Sequence, residues 1–246
     1  MITRPLFLKE LGELGSTFLR FALALAGISL LMFLGTPPLA TRLFVEIQRA
    51  LLPIGVTVVA LNPWAPFVAQ FTIAFMVAFI VAFPYLLFSI MRYILPALYE
   101  EERSIVSSIF YTSLILFFAG CTFAYFILIP NTFAILYSFA GPLGVTPFFS
   151  LDSFVWTVFN LTILTGVAFL IPIMMFILSA IGIVPATFWR AHWRGAIVAI
   201  VIFAAVVTPA GGAGVTMVLL SIPLLLLYGL GILLSSRRGG RAQYQI

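Results

Sequence analysis

Long apolar runs separated by short polar breaks dominate the chain. The runs cover residues 18–35, 68–90, 105–129, 154–183, 195–210 and 215–234. A helix needs about 20 apolar residues to cross a bilayer core roughly 30 Å thick, so the pattern predicts six membrane-spanning helices. The period-two alternation of a membrane barrel is absent. The fifth run is short, with about 24 Å of helix at ~1.5 Å per residue, less than the bilayer core. Pro130 is expected to end the third span, and Pro223 to break the sixth. Gly120 and Ala124 form a pair of small residues that lets another helix approach closely.

The longest segment of low hydrophobicity is 36–67. Within it, 39–52 reads as an amphipathic helix, with Arg42 and Glu46 spaced for an i,i+4 pair. Pro53 and Gly55 stop it, and Pro63, Trp64 and Pro66 make a rigid interfacial approach to the next span. This stretch is expected to lie as a cap on the outer membrane surface. Residues 130–153 form a second outer loop. An N-terminal signal peptide is the competing reading of 18–40; the long leader, with its acids, and the length of the run speak against it.

Composition sharpens the class. Charged residues make up 8% of the 246 positions, against about 25% in soluble domains, and the mean hydropathy is +1.24. The chain is therefore expected to be an all-α polytopic membrane protein with a single membrane domain over 1–236 and a basic, disordered tail over 237–246. The Lys and Arg residues orient it. Arg4, Lys9, Arg20, Arg92, Arg103, Arg190, Arg194, Arg237, Arg238 and Arg241 fall on one side, and only Arg42 and Arg49 on the other. The positive-inside rule puts both termini in the cytoplasm.

Catalytic chemistry finds no purchase. The one histidine, His192, sits in a basic loop (184–194) between Trp189 and Trp193, where a headgroup-facing or solvated role fits. The one cysteine, Cys121, lies within a span and reads as a small packed residue. One Cys and one His cannot build a zinc site, and no metal, cofactor or enzymatic role is expected. Gly211-Gly-Ala-Gly214 lacks the lysine of a phosphate loop. The spans carry almost no ionisable residues, which disfavours a proton-coupled carrier. Asn160, with Thr157, Thr162 and Thr165 around it, is the most polar intramembrane candidate, and is expected to hydrogen-bond a neighbouring helix.

One polar break is richer than the rest. From Pro84 the chain passes Phe88, Met91, Tyr93, Pro96-Ala97-Leu98-Tyr99 and Glu100-Glu101-Glu102-Arg103 before re-entering an apolar run. By itself this is a solvated loop. In its order it resembles the first cytoplasmic loop of the TatC family, with Ser89 where that family has Gln and Met91 where it has Trp or Phe. Further segments are similar to the family in the same order. They are Phe7-Leu8-Lys9-Glu10-Leu11, the cap positions Pro53, Pro66 and Phe67, and the third-span run 117–126 with Pro130. Thr165-Gly166 with Phe169, Leu170 and Pro172 follows, and then Val207-Thr208-Pro209. Phe7 and Gly12 stand where the family has His and Arg. Leu170 and Gly211 occupy its two intramembrane acid positions.

The resemblance implies a cup-shaped bundle of six helices and a receptor role in the twin-arginine protein translocase, in the cytoplasmic membrane of a prokaryote. Glu10, Leu11, Glu102 and Arg103 would bind twin-arginine signal peptides. Pro84, Met91, Tyr93, Pro96, Leu98, Tyr99, Phe169, Leu170 and Pro172 would support the loop and the concave face. Thr208 and Pro209 would meet single-span partners of the TatA and TatB type. The chain would act as a homo-oligomer within a larger complex, driven by the proton-motive force and without a nucleotide. Leu170 and Gly211 imply a less polar interior, in which restoring the acids is expected to be tolerated. A small-solute carrier or channel, and a degenerate paralogue that scaffolds membrane partners, are the alternative functions.

Overall fold

The computed structural model describes residues 4–34, 39–52, 55–94, 106–139, 141–143, 148–208 and 214–239. Ten α-helices and one short strand pair make up most of this part. They are α1 (Arg4–Leu34), α2 (Leu39–Leu51), β1 (Thr57–Val59), α3 (Ala65–Ile94), α4 (Val106–Phe123), α5 (Ile129–Ser138), β2 (Phe148–Ser150), α6 (Leu151–Ala168), α7 (Ile171–Ala180), α8 (Ala186–Ala191), α9 (Trp193–Val207) and α10 (Gly214–Gly239). Among the described residues, five segments are long and apolar enough to cross a membrane: Gly15–Leu34, Ala65–Arg92, Ser108–Ser138, Leu151–Ala180 and Gly214–Ser236. The fifth predicted span is the short α9, whose 15 residues give about 22 Å of helix.

The helices alternate in direction. Phe33 meets Phe67 at 5.3 Å and Phe21 meets Phe79 at 6.1 Å, so α1 and α3 run antiparallel in a constant register. Phe83 stacks on Phe117 at 3.5 Å and Phe88 meets Phe110 at 6.3 Å, which sets α4 antiparallel to α3. Along α4–α5 and α6–α7, Phe123 faces Phe169 and Phe133 faces Phe154. The bundle thus has a basic end, with Arg92, Arg190 and Arg194, and an opposite, cap end built around α2.

Four sequence expectations are corrected by the backbone. The third span does not stop at Pro130. A π turn (Ala124–Leu128) precedes the proline, and the Ile129 N–H reaches back five residues to the Ala124 carbonyl. The wider turn makes room for the ring, which in a regular helix collides with the preceding turn. Asn131 Nδ2 and Thr132 Oγ1 then donate to the Ile127 and Leu128 carbonyls, at 2.6 and 2.7 Å. The helix runs on to Ser138, through the segment expected as loop.

The fourth span is interrupted after Ala168. Leu170 N–H bonds the Val167 carbonyl, and Pro172 sits in the first turn of α7, where its missing N–H costs nothing. Pro223, by contrast, is carried inside a continuous α10, whose backbone extends to Gly239 into the predicted tail. Last, the chain is not wholly helical. β1 and β2 pair in parallel, Thr57 opposite Phe148 and Val59 opposite Ser150, tying the two outer connections together.

The cap is held by aromatic packing. Phe154 and Phe133 are fully buried. Phe154 meets Phe44 of α2 at 6.1 Å, Phe133 at 5.7 Å and Phe149 of β2 at 6.1 Å, and Tyr137 closes on Phe149 at 6.0 Å. On the exposed face of α2, the ion pair is Glu46 with Arg49 at 3.8 Å, not the predicted Arg42 with Glu46. Both spacings bring side chains together on a helix.

Candidate functional site

The basic end is braced from below by aliphatic packing. Met91, near the end of α3, is buried with Ile109 of α4 and with Ile173 and Ile177 of α7; Phe110, Leu116, Phe176 and Ile181 close around them. Both helix ends that flank residues 95–105 are therefore fixed. Met91 fills this cluster as an unbranched, adaptable side chain in place of an aromatic. Pro84 lies inside α3, one residue from the Phe83–Phe117 stack.

A second constellation lies at the α6–α7 break. Glycine at 120 is required by geometry: a Cβ there would stand 2.8 Å from Phe169 Cγ and 2.9 Å from Gly166 Cα. A Cβ on Gly166 would stand 2.7 Å from Cys121 Sγ. The two glycines let α4 and α6 cross at backbone contact, and this seats Phe169 at the break. The expected close approach at Gly120 is thus present, with Gly166 as its counterpart. Leu170 packs against Phe83, Leu87, Phe117 and Cys121. Pro172 is fully buried. Gly231 of α10 comes against Pro172 and Met175, so the break is gripped from both sides.

The remaining predicted residues divide clearly. Glu10 and Leu11 lie on the α1 helix, and Tyr93 on α3, with side chains outside the described residues. Pro53, Pro96, Leu98, Tyr99, Glu102, Arg103, Pro209 and Gly211 also lie outside them. Thr208 is buried and its hydroxyl donates to the Ala204 carbonyl at 2.8 Å, so its hydrogen bond is spent within its own helix end. Pro66 and Phe67 are exposed in the first turns of α3, with Phe67 edge-on to Phe33.

Asn160 bridges no helices among the described residues. Its amide donates to the Trp156 carbonyl one turn back, at 2.9 Å. Thr162 and Thr165 are buried, and their hydroxyls meet no partner among the described residues.

The sequence reading missed a polar link at the basic end. Trp189 Nε1 donates to Ser179 Oγ at 3.0 Å, and the Tyr228 hydroxyl donates to the Trp189 carbonyl at 2.8 Å. These bonds tie α8 to α7 and α10. Tyr228, a polar-tipped ring in a leucine-rich run, was the available signal.

The model of the Sec-independent protein translocase protein (TatC) family matches residues 9–223. The chain belongs to the TatC family. It is 35% identical over 200 residues to the TatC of Cenarchaeum symbiosum, covering 81% of this chain and 75% of that protein. It is 33% identical to the TatC of Haemophilus influenzae over 186 residues, covering 76% and 72%. The fold matches a crystal structure of a TatC described as a twin-arginine translocase receptor. The TM-score is 0.76 at 29% identity, over 94% of this chain and all of that one. The polytopic helical TatC fold and a place among protein-translocase components follow.

Proposed function

We propose that this TatC-family chain is a receptor that binds twin-arginine signal peptides at its basic end, with Glu10 and Glu102 each holding one guanidinium. The supporting observation is the α1–α3 register. The Phe33–Phe67 and Phe21–Phe79 contacts lie twelve residues apart on both helices. Continued at that pitch, Glu10 comes level with about Ile90, roughly one helical turn from where α3 ends at Ile94. Glu102 belongs to the connection between that helix end and α4. In this reading the two carboxylates, far apart in sequence, serve the same end of the bundle.

The chemistry suits a doubly cationic leader. A carboxylate takes a guanidinium fork through two parallel, charge-assisted hydrogen bonds. Leu11 and Arg103 flank the two acids. The apolar part of the signal then lies along the concave side of spans two to five, which Phe169, Leu170 and Pro172 support from within the bundle. Single-span TatA- and TatB-type subunits pack beside α9, near Thr208 and Pro209. The proton-motive force drives export of the folded client across the cytoplasmic membrane, with both termini of the chain on the cytoplasmic side.

The test is site-specific crosslinking of a twin-arginine signal peptide to Glu10→Ala, Glu102→Ala and the double variant. Each change is expected to weaken binding roughly tenfold or more, the worth of a charge-assisted hydrogen bond, with the fold intact. Undiminished crosslinking and export by the double variant would sink the proposal.

A further inference from the structure

The segment from Ala186 to Arg194 carries a group of cations that the receptor reading does not use. Arg190, His192 and Arg194 are all exposed, and neither arginine forms an ion pair with another described residue. No acidic residue occurs between 153 and the end of the chain. Exposed apolar side chains stand among these cations: Ile183, Phe188 and Trp193. The Arg194 guanidinium lies over the Trp193 ring, 5.5 Å from its centroid, within cation–π range. The His192 ring stacks on Phe188 at 4.0 Å.

The platform is rigid. Gly182, at φ +76°, lets the chain reverse after α7, and the Val184 N–H closes the turn on the Leu178 carbonyl. Trp189 is pinned by Ser179 and Tyr228. Backbone bonds from His192 to Phe188 and from Ala196 to His192 hold α8 and α9 together at a bend centred on His192, so Arg190 and Arg194 stand on either side of that junction, four residues apart. Arg194 also stands in the first turn of α9, where the helix dipole disfavours a cation. A bound anion offsets that cost.

We infer that this segment is a binding site for anionic phospholipid in the leaflet facing the basic end. Arg190 and Arg194 hold the phosphodiester, and Phe188 and Trp193 sit at the headgroup–acyl boundary. A basic face beside interfacial aromatics at the ends of membrane helices has the charge and polarity profile of such a lipid.

The purified full chain in detergent is exposed to phosphatidylglycerol or to phosphatidylcholine of the same acyl chains, and retained lipid is counted by native mass spectrometry. Preferential retention of phosphatidylglycerol is expected. R190Q/R194Q should lower it about thirtyfold, R190K/R194K should restore most of it, and R42Q/R49Q, at the cap end, should leave it unchanged. A second arm needs no variant: brominated phosphatidylglycerol should quench tryptophan fluorescence of the native chain at lower mole fraction than brominated phosphatidylcholine. Equal retention by the native chain and R190Q/R194Q overturns the site, as does equal quenching by the two lipids. Thermal protection by inorganic phosphate equal to that by phosphatidylglycerol would show a free-anion site and overturn the lipid assignment.

Discussion

At the cap end, five aromatic rings from four elements interlock: Phe44, Phe133, Tyr137, Phe149 and Phe154. At the basic end, Met91, Ile109, Ile173 and Ile177 do the packing, and the cations stand outside it. The difference separates two jobs. The cap gathers two connections that are distant in sequence, and large rings gain the most contact for each residue ordered. The basic end fixes the helix termini with small apolar contacts, and Arg92, Arg190 and Arg194 form no ion pair among the described residues. Stability should therefore respond most to the cap, and recognition most to the basic end.

The strongest way to break this contrast is Phe154→Ala. The ring is fully buried among three others, and its removal should cost ~3–5 kcal/mol. The readout is thermal unfolding in detergent, with export falling because less folded protein remains. A loss below about 1 kcal/mol, the range of an ordinary substitution, would mean the cap is not where stability is concentrated.

Leu170→Glu comes next. From the family pattern alone an acid here is expected to be tolerated, but the side chain packs among Phe83, Leu87, Phe117 and Cys121. A carboxylate within a span should cost roughly 2.5–3.5 kcal/mol. An unchanged melting temperature would show that Leu170 reaches a polar partner or water. Gly120→Ala is milder: the new methyl meets Phe169 and the Gly166 backbone inside 3 Å, an overpacking cost of ~1–3 kcal/mol. Gly229→Ala, in a helix with open space around the added Cβ, should be neutral or stabilising by up to about 1 kcal/mol. Equal effects at the two glycines would remove the α4–α6 crossing from the account.

Much of this architecture was legible in the residue pattern, because a bilayer imposes length and hydrophobicity on every crossing segment. The apolar runs, the short fifth helix and the close approach at Gly120 all follow from that. The departures have local causes. Helix through Pro130 depends on a π turn that re-routes the Ile129 N–H to the Ala124 carbonyl, a compensation that single-residue rules do not anticipate. The β1–β2 pairing joins residues about ninety positions apart, with no periodicity to announce it. Around the candidate site, the family resemblance named Met91, Phe169, Leu170 and Pro172, and each is packed between helices. It did not find the Phe83 stack or the Trp189–Ser179 link, since each needs a partner from another helix.

The smallest expected effect tests the polarity of the interior. Had Asn160 joined two helices, its loss would cost about 0.6–1.7 kcal/mol. Its amide instead donates to the Trp156 carbonyl of its own helix, which already has a backbone donor available, on a partly exposed stretch of α6. Asn160→Leu should thus change stability by no more than about 0.5 kcal/mol and leave signal-peptide crosslinking unaltered. The measurement is the same detergent melt, run beside Phe154→Ala as the upper reference. A loss above about 1 kcal/mol would show that Asn160 has a second partner in the assembled membrane. The aromatic cap would then share its structural role with a polar contact at mid-bilayer.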